Sequence, residues 1–173
     1  VRSLRTQNGH QTFQQQNQEI YEREEVSAMI NQFRGEYDFL SNFWPGGIGT
    51  NEHYFQAHKT LDPKLRALIL SQPTPGRAKK VGRSVPLRPD WEQVKEKVME
   101  KGLRIKFQRA ELRYKLIATW PHELIEGNYW GDEIWGVNLK NGKGQNLLGK
   151  LLMKIRQELI DNNGRLPIPK WRL

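Results

Sequence analysis

The sequence contains no cysteine, which excludes disulfides, thiolate zinc sites and cysteine nucleophiles. It has no apolar run near the ~20 residues that a membrane-spanning helix needs. The stretch from Val1 to Ile20 also lacks the apolar centre of a signal peptide. A soluble, cytoplasmic protein with no membrane partner is expected. Histidine is scarce: His53 and His58 are five residues apart on different helix faces, and His10 and His122 are remote. No metal and no cofactor is therefore expected. None of the five serines sits in a Gly-x-Ser-x-Gly turn. The run Gly136 to Gly144 fails as a phosphate-binding loop, because five residues separate Gly136 from Gly142 and Gly144 replaces the Ser/Thr. Helix-turn-helix, zinc-finger and RNA-recognition signatures are missing too.

What the chain does contain is positive charge and tryptophan. Residues 1–32 hold three Arg and four Glu, net −1, so the remainder carries +10, more than the whole net of +9. A basic domain attracts phosphates, of nucleic acid or of a phosphorylated small molecule. Six tryptophans are many for 173 residues. Trp44, Trp91, Trp130 and Trp135 lie near glycine, proline or acidic residues, where the ring either joins the core or forms a wall for a planar ligand.

The length suits one domain. Residues 1–32 read as a polar tail with a short helix between Ile20 and Ile30, the domain spans 33–162, and 163–173 form an extended tail on the surface. Pro45-Gly46-Gly47 ends an irregular aromatic segment and leads to a short strand around Ile48. A helix over about 51–60 follows, with Asn51 as its N-cap. Asp62-Pro63 and Thr74-Pro75 open two more, the second stopping at Gly82 as its C′ residue. Asp90 and Gln93 resemble a capping box before the stripe Trp91, Val94, Val98 and Ile105, with Gly102 allowing close approach. Ala110–Ala118 is a helix, Leu124-Ile125-Glu126 a short strand, and Asn146 caps a last helix with Leu147, Leu148, Leu151, Leu152, Ile155 and Leu159 on its buried face. The fold class is α+β, mainly α-helical with a few short strands.

Acids meet aromatics in three places: Glu52 beside His53, Tyr54 and Phe55; Asp90-Trp91; and Tyr129-Trp130-Gly131-Asp132-Glu133. Two carboxylates flanking a bond are what acid/base cleavage of a glycosidic linkage requires. An N-glycosidic bond fits because the departing base is a flat ring on which Trp can stack. Each acid also has an ordinary reading. Glu52 could merely complement a helix dipole while Tyr54, Phe55 and His58 are buried, Asp90 could be a cap, and Asp132 could be turn chemistry. The basic run Arg77 to Arg83 either holds a phosphate or is solvated surface.

In order, Phe39-Leu-Ser-Asn-Phe43, Glu52-His-Tyr-Phe-Gln-Ala57, Ala78-Lys-Lys-Val-Gly-Arg83, Asp90-Trp91 with Val98-Met99, Tyr129-Trp-Gly-Asp132 and Gly144 to Met153 resemble the motifs of the NADAR (YbiA-like) family over roughly residues 33–160. The resemblance implies a mostly helical α+β fold and N-glycosidase activity. Some members resemble hydrolases of phosphoribosyl-linked riboflavin-pathway intermediates, and others remove ADP-ribose from guanine in nucleic acid. The partner implied is thus an ADP-ribosylated nucleic acid or a ribosyl-phosphate small molecule. The family's functional positions fall on Glu52, Trp91 and Asp132, with one acid activating water, the other stabilising the ribosyl cation and Trp91 stacking against sugar or base. Asn42, Phe43, Lys79, Arg83, Trp130 and Gly131 are expected to bind substrate; Lys79 is alternatively an imine-forming amine toward an opened sugar. A non-catalytic ADP-ribose or nucleic-acid binding module is the rival reading, against which the paired acids argue. The chain departs from shorter members by added residues between Asp132 and Gly144.

Overall fold

A computed structural model describes residues 29–173 together with Gln14 and Gln15. The expected helix from Ile20 falls outside the described residues except at its end, where Met29–Ile30 are strand β1. β1 pairs in parallel with β2, Glu123–Leu124. Strand β3, Gly127–Asn128, pairs in parallel with β4, Val137–Asn138. A 3-10 helix at Gly35–Leu40 leads from β1 towards the first α-helix. The α-helices are α1 Asn51–Ala57, α2 Pro63–Leu70, α3 Pro75–Gly82, α4 Trp91–Lys106, α5 Ala110–Ala118 and α6 Leu147–Asp161. The α+β, mainly helical class is as expected.

The long amphipathic helices make the core. Val98, Met99 and Leu103 of α4 pack with Leu112 and Leu116 of α5, Leu124 of β2, and Leu148, Leu152, Ile155 and Leu159 of α6. An ion cluster centred on buried Arg104 and Glu100 ties α4 to α6: Arg104 donates to Glu100 on its own helix and to Glu158 opposite, and the more exposed Lys154 donates to Glu100. The C-terminal segment is held down, with Leu166 buried, the carbonyls of Leu166 and Pro167 accepting from Gln108 and Arg104, and the carbonyl of Trp171 accepting from Lys101.

Short α1 lies at the centre, packed by α2, α3 and α4. It is buried on almost every side, including Asn51, Glu52, His53 and Gln56. Such a helix survives only if each polar side chain finds a partner. Asn51 donates to Asn42 Oδ1 at 2.8 Å, and Gln56 donates to Glu52 Oε1 at 2.6 Å. His53 has Thr50 Oγ1 on one ring nitrogen and the Gln72 carbonyl on the other, both at 2.8 Å. His53 is thus a satisfied core residue.

Several local expectations are corrected. No strand forms at Ile48, where Gly46 and Gly49 take φ of +95° and +80° and carry the chain through turns. Thr50 caps α1, freeing Asn51 for Asn42. Asp90 precedes α4 without capping it, because both its oxygens go to Arg88 at 2.6 and 2.9 Å. Asn146 likewise gives α6 no side-chain cap; it donates to the Leu124 carbonyl and accepts from the Glu126 N–H. Gly82 stays inside α3, where a Cβ would overlap the Gln56 amide. Its bareness lets α3 press on α1 beside Glu52.

Candidate active site

One face of α1 supplies the floor of a cavity of about 750 Å³. Glu52, Phe55 and Gln56 stand at i, i+3 and i+4 of the helix, so its 3.6-residue period lines them up on one side, and Lys59 joins them from the turn just beyond its end. Lys79 comes from α3 and Arg83, one turn on, from the residue that ends it. The segment before α1 gives Arg34, Asn42 and Phe43; the chain around β3 gives Glu126, Trp130, Gly131, Asp132 and Trp135. The topology therefore gathers residues from both halves of the chain.

Glu52 is 5% exposed. Burial raises its carboxyl above the ordinary 4.5, and nearby Asp132 adds to this, while the Gln56 amide, Lys79 and Lys59 pull it back. Its backbone N–H donates to the Asn42 carbonyl at 3.0 Å, so Asn42 anchors the start of α1 twice. Asp132 is held differently. Its Oδ1 accepts from the N–H groups of Ile134 and Trp135 at 3.1 and 2.9 Å, while Oδ2 has no protein partner among the described residues. Asn128 braces the turn, accepting from the N–H groups of Gly131 and Asp132 and donating to the Asp132 carbonyl.

The cations gather at the same cavity. Burial lowers the Lys59 ammonium below its ordinary 10.5; Glu52 opposes this and Lys79 and Arg83 reinforce it. Lys79 Nζ lies 5.9 Å from the Phe43 ring centre, a cation–π distance. Arg77 and Lys80 point to solvent, so the basic run is divided between site and surface.

Of the expected site residues, Glu52, Asp132, Asn42, Phe43, Lys79, Arg83, Trp130 and Gly131 all line the cavity. Trp91 does not. It is 6% exposed and packs against Phe55, ring centres 5.0 Å apart; Phe55 meets Trp135 edge-on at 5.2 Å. Trp91 therefore backs a lining residue, and Trp135 and Trp130 supply the indole surface of the cavity. Trp44 lies at a separate cleft with Lys106 and Arg109.

Sequence reasoning missed Gln56, Lys59, Arg34 and Glu126. Helical spacing from Glu52 points to the first two. Nothing local marks Glu126, which lies between two-residue strands in a segment read only as strand. Burial, then the Asp132 charge, raise its carboxyl from 4.5 to about 7 against Lys79, Arg34 and Lys106. Among the described residues no group of His, Asp and Glu is arranged to hold a metal, and no helix is long and apolar enough to cross a membrane.

Comparison with known proteins identifies the family and the fold. The family model of the NADAR domain matches residues 29–160. An N-glycosidase YbiA of Shigella flexneri is 50% identical over 125 residues, 68% of this chain and 72% of that protein. The NMR structure of Escherichia coli YbiA superposes with a TM-score of 0.68 at 44% identity, covering 79% of this chain and 88% of that one. A riboflavin biosynthesis protein of Vibrio vulnificus is 36% identical over 73% of this chain but only 36% of its own length. Fold, carboxylate-lined cavity and relatives define an N-glycosidase, a hydrolase acting on N-glycosyl compounds. The chain belongs to the NADAR family.

Proposed function

We propose that this N-glycosidase removes ADP-ribose from ADP-ribosylated guanine in nucleic acid. The observation that carries the reading is the grouping of Lys59, Lys79 and Arg83 with Glu52 and Asp132 in one cavity. Three cations suit a diphosphate, and a desolvated Lys59 gains most when an anion arrives beside it. The exposed rings of Phe43, Tyr129 and Trp130 offer stacking surface for bases, and the net +9 favours a polyanion.

In this reading Asp132 activates water. Two backbone N–H groups hold one carboxylate oxygen and leave the other to accept the water proton. Glu52 faces the ribose, where positive charge developing at the anomeric carbon draws its carboxyl towards the ionised form. Asn42, Gly131 and Trp130 bind the ribose and base, and Trp91 acts through Phe55 as a positioning residue. A second reading takes a phosphoribosylamino-pyrimidine of riboflavin biosynthesis as substrate. The name of the Vibrio relative favours it, and the same cations suit a single 5′-phosphate.

Incubation with ADP-ribosylated guanine DNA and, separately, with ribosylamino-pyrimidine phosphates decides between them, products being read by mass spectrometry. The expected result is free ADP-ribose from the wild type, with Glu52→Gln and Asp132→Asn each slowed by roughly 100-fold or more. Faster turnover of the pyrimidine would transfer the proposal to the second reading. Undiminished turnover by either variant would remove its assigned role.

A further inference from the structure

N-glycoside hydrolysis asks for three things: an activated water, a counter-charge for the ribosyl cation, and a proton for the departing base. Asp132 and Glu52 account for the first two. We infer that Glu126 supplies the third, as the general acid that protonates the base while the glycosidic C–N bond breaks. The inference rests on the N-glycosidase reading of the site and is indifferent to which N-glycoside is the substrate.

Glu126 lines the same cavity as Glu52 and Asp132. Its backbone is fixed on both sides: its N–H donates to Asn146 Oδ1 at 3.0 Å, and its carbonyl accepts from the Val137 N–H at 2.9 Å. Gly136 presses on it so closely that a Cβ there would lie 3.1 Å from Glu126 Cγ. The side chain is therefore aimed by its surroundings, yet its Oε2 is buried with no hydrogen-bond partner. A buried carboxyl oxygen normally has one. None of the ion pairs of the described residues includes Glu126, although charged groups surround it. Arg34 faces it from the segment before the 3-10 helix, Lys79 from α3, Lys106 from α4 and Asp132 from the turn after β3; Glu52, Lys59 and Arg83 share the cavity wall.

An unpaired carboxyl beside another carboxylate keeps its proton more readily than a solvated one, and here burial and Asp132 hold it near neutrality. An acid half-protonated at the working pH combines availability of the proton with willingness to give it up. As the C–N bond breaks, its electron pair passes to the base and the Glu126 proton follows. The water oxygen bonds to the anomeric carbon and its proton passes to Asp132. Return of that proton to Glu126 through solvent closes the cycle, with one water consumed.

Glu126→Gln, Glu126→Asp and Lys106→Gln test the assignment, each first verified as folded by its circular dichroism spectrum and thermal transition. In the wild type, kcat/KM on the cleaved substrate is expected to fall above a pH of about 7. Glu126→Gln should lose roughly 100-fold at pH 7 and show no such fall. Glu126→Asp should recover part of the rate and the fall with it. Lys106 also has its pKa near 7, lowered by burial, so Lys106→Gln serves as the control and should keep the fall. Independently of activity, 13C NMR of glutamate-labelled protein should show a carboxyl titration near 7 that disappears in Glu126→Gln. Rates for Glu126→Gln within three-fold of wild type would overturn the inference. So would persistence of the alkaline fall in that variant, or titration of Glu126 in the ordinary carboxylate range. A wild type that cleaves neither proposed substrate defeats the substrate reading. In that event the NMR titration still decides whether Glu126 holds a transferable proton.

Discussion

Replacing Glu126 by Gln should make the protein more stable in alkali while leaving its stability in mild acid nearly unchanged. Burial and the Asp132 charge raise the carboxyl from 4.5 to about 7. Between those values the folded state binds more protons than the unfolded state, so stability falls as pH rises through that window and is flat above it. At about 1.4 kcal/mol per pH unit, the raised pKa lowers stability relative to strong acid by roughly 3 kcal/mol at pH 8 and by roughly 1 kcal/mol at pH 5. Glutamine has no charge to desolvate. Its amide inherits the same unpartnered position and costs about 1 kcal/mol at both pH values. The variant should therefore be near wild-type stability at pH 5 and ahead by roughly 2 kcal/mol at pH 8. Urea unfolding followed by tryptophan fluorescence, extrapolated to water at both pH values, measures the gap. A gap that does not widen with pH, or that widens against the variant, would refute the reasoning. The expected pattern is a site residue maintained at the expense of stability.

Gly82→Ala should place a methyl group on the Gln56 amide that holds Glu52. It is expected to destabilise by roughly 1–3 kcal/mol despite the better helix propensity of alanine, and to lower kcat through the displaced Glu52. Unfolding and turnover measured on one preparation check both effects, and retention of wild-type kcat would argue that Gln56 does not position Glu52. The two tryptophans should separate cleanly. Trp91→Ala empties a buried position and should cost roughly 3–5 kcal/mol of stability. Trp130→Ala, at a residue 61% exposed, should leave the melting transition in place and raise KM. A thermal scan with a kinetic pair for each variant distinguishes the outcomes.

Residues whose roles are settled by their near neighbours in the chain were readable in advance. Asp62 and Thr74 cap α2 and α3 with their own side chains, each followed by proline, as the local pattern dictates. The spans of α5 and the buried face of α6 follow from apolar spacing alone. Glu52 and Asp132 were identifiable from ordered motifs, and both line the cavity. Asn51, Asp90 and Asn146 are equally good cap residues by type, yet none caps its helix. Asn51 and Asn146 spend their side chains on tertiary partners, Asn42 and the Leu124 carbonyl with the Glu126 N–H, and Asp90 spends its own on Arg88, two residues before it. A polar side chain goes where the alternative is an unsatisfied buried group, and that alternative exists only once the chain is folded. Trp91 shows the same limit from the apolar side, since sequence could mark it as important without telling whether it faces the ligand or the back of Phe55.

Sequence by itself determined the helices, the basic charge and two of the acids, because helix-forming periods, charge and ordered motifs are properties of the unfolded chain as much as of the folded one. Tertiary structure alone decided that Glu126 joins them. Two-residue strands, whose pairing nothing local in the sequence marks, bring it to the cavity, and burial beside Asp132 raises the carboxyl of an ordinary glutamate to about 7. Desolvation and the company of another carboxylate are set by what surrounds a residue in space, so they come into being only when the fold closes around it.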